Sequence, residues 1–147
     1  MINILSDAVG ALTSQISGLW PKPAEAPHLV NGKLRPCPGS PNCVSSESTT
    51  PTEMIAPFTF QASPEAAWAT LKTVITEQGG TIHHEGNEYL WATFTVPLFG
   101  FIDDVEFRLS ATEKRIHVRS ASRLGFSDLG VNRGRVEQLR AAFQKAR

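Results

Sequence analysis

The stretch from Phe101 to Arg123 constrains this chain more than any other. In "FIDDVEFRLSA", Val105, Phe107 and Leu109 fall on one parity, and in "RIHVRSASR" Ile116 and Val118 share another. Alternation with a period of two is the mark of a strand with one buried face. A short break at Thr112 and Glu113 joins the two runs as an antiparallel hairpin. A slip of one residue would turn one apolar set into water, so only one parity of pairing is allowed. The turn then selects Glu106 opposite Arg119, Arg108 opposite His117, and Asp103 opposite Ser122.

The rest of the chain builds around that hairpin. "IAPFTF" reads as a strand. "SPEAAWATLKTVITEQGG" reads as a helix with Ser63 as N-cap, Pro64 at its first position, Gly79 at its end, and a stripe of Ala67, Trp68, Leu71 and Ile75. "TIHHE" and "EYLWATFTV" are strands around Gly86-Asn87. A last helix starts near Asn132 and buries Val136, Leu139 and Phe143. The expected fold is α+β: one curved antiparallel sheet of about five strands, with two helices packed on one face.

The N-terminal third is different. Ile2, Leu5, Val9, Leu12, Ile16 and Leu19 step by three and four, the narrow apolar stripe of an amphipathic helix over 1–20. Lacking a basic start and an unbroken apolar core, it is neither an ordinary signal peptide nor a spanning helix. It is expected to pack on its own domain or dock on a protein partner; with so few basic residues, contact with an anionic membrane surface is less favoured. Residues 21–53 read as an extended Pro-rich linker, whose prolines, glycines and serines argue against regular structure. The core domain is then 54–147. Within the linker, Cys37 and Cys43 either close a short loop as a disulfide, given Cα atoms about 4.4–6.8 Å apart, or remain thiols. A disulfide would imply an oxidising compartment.

The charged parity of the hairpin (Asp104, Glu106, Arg108, His117, Arg119) reads as a solvated ladder of ion pairs, each worth roughly 0.2–1 kcal/mol. The apolar parity turns polar at one end, at Asp103, Ser120 and Ser122. That end adjoins the start of the last helix, where unpaired N–H groups carry partial positive charge. Arg123 and Arg133 are expected to reach the same corner. Asp103, Arg119, Ser120, Ser122, Arg123, Ser127, Asp128, Asn132 and Arg133 are therefore the candidate ligand-binding residues, suited to a carboxylate or phosphate. The competing reading is a structural lock, in which Asp103 or Asp128 accepts those arginines.

"LRPCPGSPNCVSSES", "FIDDVEFRL" and "VRSASRLGFSDLGVNRGRVEQLR" together resemble the family known as domain of unknown function 1499. The resemblance runs from about Leu34 to Phe143. It draws attention to Cys37, Pro38, Ser40, Pro41, Asn42, Cys43, Ser45 and Ser46, and to the polar residues of the hairpin and the segment after it. It implies no reaction. Family members often begin with an export or membrane segment, and the first helix of this chain departs from that. We expect the cysteine loop to pack against the polar corner.

Other chemistry finds little support. Fourteen basic residues cancel fourteen acidic ones, which argues against general nucleic-acid binding. There is no nucleophile elbow and no phosphate loop. The adjacent pairs His83/His84 and Asp103/Asp104 point to opposite faces of their strands, so no metal site and no cofactor is expected. The leading expectation is a non-enzymatic binding or assembly module, with an anionic small molecule or a partner segment as ligand. The alternative is an enzyme working through Asp103, Asp104 and Arg119.

Overall fold

The computed structural model describes residues 25–39, 41–96, 100–123 and 130–146. At its centre the two alternating runs form β5 (Ile102–Ser110) and β6 (Arg115–Ser122). Their register is Asp103↔Ser122, Glu106↔Arg119 and Arg108↔His117, the pairing that the apolar parity dictates. On the far side of β5 lies β4 (Tyr89–Thr95), and beyond it the edge strand β3 (Thr81–Glu85). A bulge between Ile82 and His84 interrupts the β3–β4 pairing.

The other edge of β6 carries two short strands, β1 (Cys43–Ser45) and β2 (Phe58–Thr59). The antiparallel sheet thus has six strands rather than about five. The additional one, β1, lies where the sequence suggests only irregular chain. Three residues are too few to display an alternation, and β1 is held by pairing of Cys43, Val44 and Ser45 with Ala121, Ser120 and Arg119. β2 is shorter than "IAPFTF" suggests, because Pro57 has no N–H to give to a ladder.

Helix α1 (Pro64–Glu77) begins where Ser63 Oγ accepts from the Ala66 N–H at 3.1 Å, and Gly79 follows its end at φ 93°. Its buried stripe is the expected one with Val74 added. Trp68 Nε1 donates to Gly86 O at 2.9 Å, tying the helix to the β3–β4 turn. Helix α2 (Val131–Ala146) buries Asn132, Val136, Leu139 and Phe143. Both helices share one core with Leu90, Phe94, Val105, Phe107, Ile116 and Val118. Phe58 joins them, its ring 5.5 Å from Phe143 and 6.1 Å from Phe107. Each such side chain contributes about 1.5–3 kcal/mol on full burial. Among the described residues, no helix is long and apolar enough to cross a membrane. The expected helix over 1–20 lies outside the described residues.

The opposite face of the sheet corrects a second expectation. The charged ladder is not solvated: Asp104 is 5 % exposed, Glu106 0 %, His117 8 % and Arg119 6 %. Residues 34–39 and 41–54 run over it. Leu34 N–H donates to Glu47 Oε2 at 2.7 Å, Ser45 N–H to Glu53 O at 2.8 Å, and Ser46 N–H to Val118 O at 2.9 Å.

Candidate functional site

Since successive strand residues face opposite ways, the hairpin carries two polar clusters, one on each side of the sheet. The inner cluster sits at the polar end of the helix-packed face. Ser122 Oγ donates to Asp103 Oδ1 at 2.7 Å, and Arg135 Nη2 donates to Asp103 Oδ2 at 3.0 Å. Asn132, 1 % exposed, accepts from Ser120 Oγ at 2.5 Å and donates to Ser122 Oγ at 3.0 Å and Asn42 O at 3.1 Å. Asn42 immediately precedes Cys43, and Ser122 N–H donates to its carbonyl at 3.1 Å, so the cysteine loop does lie against the corner. The structure thus brings Asp103, Ser120, Ser122 and Asn132 together as the sequence suggests.

Three arginines fall elsewhere. Arg119 lies on the outer face, where its Nη1 donates to Glu106 Oε2 at 3.1 Å. Arg123 shares the parity of Arg119 and therefore faces outward, where Nε and Nη2 donate to Asp104 at 2.9 and 3.0 Å. Arg133 turns to the loop before β2, donating to Met54 O at 2.9 Å and Thr52 O at 3.2 Å. Arg135 takes the corner instead, with its guanidinium 4.6 Å from the Phe94 ring. Ser127 and Asp128 lie outside the described residues.

The outer cluster is centred on Glu106. Its carboxylate accepts from Tyr89 Oη at 2.6 Å, Arg119 Nη1 at 3.1 Å, and Arg35 Nη2 at 2.8 Å, with Arg35 Nε at 3.3 Å. Arg119 Nη2 donates to Pro36 O at 3.3 Å, but its Nε, fully buried, has no partner among the described residues. Beside it, Trp91 Nε1 donates to Asp104 Oδ1 at 2.9 Å, and Glu47 accepts from Arg108. Ser46 Oγ accepts the Val118 N–H at 2.9 Å and lies 3.2 Å from His117 Nδ1.

The electrostatics follow from depth. Burial pulls the Arg119 guanidinium below the ordinary arginine range; Glu106 opposes this and the Arg35 charge adds to it. Burial acts on Arg35 too, but its hydrogen bond and charge contact with Glu106 outweigh it, so Arg35 moves up. The two arginines differ because Arg119 is the deeper, and both stay charged. Burial and the Glu106 charge push the Tyr89 phenol far up, which keeps it a donor. Burial lowers His117 below the usual imidazole range, and at the sheet edge partial desolvation together with the Arg123 charge lowers His83.

The segment that covers this cluster, 34–39, is a strap tied at Cys37 to Cys43 by a disulfide with Cα atoms 5.8 Å apart. The question that the spacing left open is answered by the bond. Between the strap, the turn at 30–33 and the loop 45–53 lies an open cleft of about 620 Å³, the size of small-molecule sites. Lys33, Arg35, Cys37, Ser45, Glu47 and Glu53 are among its walls. Ser45, on the cleft wall, is also the register partner of Arg119 on the neighbouring strand. Among the described residues, no three His, Cys, Asp or Glu side chains converge as a metal set would require.

Sequence reasoning missed Arg35, Glu47, Tyr89, Lys33 and Arg135. Only Arg35 had a local signal, its place two residues before a cysteine; Glu47, Tyr89 and Arg135 are joined by contacts across many residues of chain, and Lys33 is set on the cleft wall by the turn it closes with Val30.

Fold and clusters define a class: a single antiparallel sheet, helices on one face, and a disulfide-tied strap over buried charges on the other. The chain belongs to the family described as Protein of unknown function (DUF1499), whose model matches residues 33–143, from the first strap residues into α2. No curated protein matches the sequence.

Proposed function

We propose that this domain is a non-enzymatic binding module that takes a small anionic group in the cleft lined by Lys33 and Arg35, beside the strand that carries Arg119. The observation that carries the reading is the sharing of one carboxylate, Glu106, by two guanidiniums, one of them with a buried Nε that has no acceptor among the described residues. A buried unsatisfied donor costs about 1–3 kcal/mol, so an anion oxygen supplied from the cleft would be stabilised there. Lys33, exposed on the rim, adds attraction from solvent. Arg135 Nε in the inner corner is likewise buried without an acceptor among the described residues, but that corner fits better as a lock, because Asp103, Ser120, Ser122 and Asn132 bond one another and none of them lines the cleft.

The enzymatic alternative has less support. Asp103 faces away from Asp104 and Arg119, and Asp103, Asp104 and Glu106 are each held by an arginine. A general acid or base needs a group poised to exchange its proton.

Calorimetric titration of the oxidised protein with inorganic phosphate, sulfate and succinate tests the reading. Saturable binding, weakened several-fold by Lys33→Ala at unchanged thermal stability, is expected. The absence of saturable binding to all three rejects it. A protein partner reached through residues 1–20 belongs to the same proposal: deleting them should remove a co-purifying protein, and an unchanged set of partners rejects that part.

A further inference from the structure

The two sulfurs of the disulfide are not equivalent. Cys43 is 3 % exposed and opens β1, paired with Ala121. Cys37 is half-buried on the strap and lines the cleft. The groups that the strap delivers, the Arg35 guanidinium and the Pro36 carbonyl, stand immediately before Cys37 and reach Glu106 and Arg119. Upstream the strap is anchored by Leu34 N–H on Glu47. Downstream, Pro36 and Pro38 have no N–H with which to pair, so a sheet ladder cannot hold this part. The covalent bond to Cys43 replaces it.

We propose that the Cys37–Cys43 bond is a redox latch on the anion site, opened by small thiols that attack the Cys37 sulfur from the cleft. The inference rests on the anion-binding reading given above. A thiolate forms a new S–S bond to Cys37 Sγ as the Cys37–Cys43 bond breaks. The electron pair leaves on Cys43 Sγ, which takes up a proton and remains a buried thiol. With a dithiol, the second sulfur then displaces Cys37 as a thiolate, so the dithiol is oxidised by two electrons and both cysteines are reduced. β1 stays on β6 through its own backbone pairing. The strap loses its downstream tether, Arg35 leaves Glu106, and Glu106 keeps Arg119 and Tyr89. Anion affinity then falls on the order of tenfold, the scale set by closing so short a loop.

The test compares full-length protein, oxidised and after complete reduction by dithiothreitol confirmed by mass. Circular dichroism, inorganic phosphate titration and hydrogen exchange of residues 34–39 are read in both states. We expect an unchanged fold, faster exchange confined to the strap, and phosphate binding weakened on the order of tenfold. Brief treatment with mercaptoethanol followed by acid quench should leave the mixed disulfide on Cys37 in the peptide map. Equal exchange and equal affinity in the two states overturns the latch, as does global unfolding on reduction or an adduct on Cys43. If the oxidised protein binds no phosphate while the strap still loosens on reduction, the anion reading fails and with it the control of binding. The strap would then be a redox-sensitive element alone.

Discussion

Removing the charge of Glu106 tests the outer cluster most directly. Its side chain is 0 % exposed, and it is the common acceptor of Arg35, Arg119 and Tyr89. Glu106→Gln keeps the shape and one carbonyl oxygen, but turns an amide donor toward two guanidiniums. Deleting one partner of a buried ion pair costs about 3–5 kcal/mol, because the remaining charge stays buried without compensation. Here Arg119 is left buried, while Arg35, its side chain 28 % exposed, can turn to water, so the expected loss lies within that range. For a chain of this length, that corresponds to a drop of roughly 10–15 °C in Tm. Urea denaturation followed by circular dichroism should show a lower midpoint at unchanged m. The control is Glu137→Gln, which changes the same chemistry on α2 at a pair with Arg140 where the glutamate side chain is 52 % exposed. There the expected loss is about 0–1 kcal/mol. Adding Arg119→Met to Glu106→Gln should restore part of the stability, since one stranded charge goes with it. Equal small losses for Glu106→Gln and Glu137→Gln would refute the claim that the strap seals these charges from water.

Three further outcomes are expected. Asn132→Ala removes the acceptor of the buried Ser120 hydroxyl and one bond each from Ser122 Oγ and the Asn42 carbonyl, and should cost about 1–3 kcal/mol in the same assay, whereas no measurable loss would show that the inner corner is not a lock. Burial keeps His117 below the usual imidazole range, so between its folded value and about pH 6.5 the unfolded chain binds a proton that the folded chain refuses. Stability should thus be full above about pH 6.5 and decline as the pH falls through that window, and His117→Gln should flatten the profile; identical slopes in both proteins would count against it. Gly80→Ala would place a Cβ 2.6 Å from Phe94 Cζ and 2.8 Å from Ile75 Cγ2, for an expected loss of about 1–3 kcal/mol by thermal melt; a neutral substitution would contradict the packing there.

The hairpin register was legible because it is written in local alternation: Val105, Phe107 and Leu109 against Ile116 and Val118 admit one parity. Helix α1 was legible for a similar reason, since Ser63, Pro64 and Gly79 punctuate it. The same parity places Arg123 beside Arg119 on the outer face, and grouping it with the inner corner set that rule aside. Arg133 and Arg135 stand two positions apart on α2, so they point in quite different directions, and only the folded path of 52–54 decides which meets a carbonyl. Segment 34–54 was the least legible. Its prolines and serines carry no period, and its energetics lie in contacts such as Arg35 with Glu106, 71 residues apart. A charged strand face was therefore read as facing water, when a segment without pattern covers it.

The outer margin of β6 is assembled from pieces. β1 occupies positions 119–121, β2 occupies 115–116, and between them Ser46 takes the Val118 carbonyl with its N–H and the Val118 N–H with its hydroxyl. At the far margin, β3 is kinked at His83, with exposed imidazoles and Glu85 along it. Neither border offers another molecule a long straight row of unclaimed amides. Among the described residues, pairing of one copy's sheet edge with another's is accordingly disfavoured, and with it the stacking of strands that draws out a fibre.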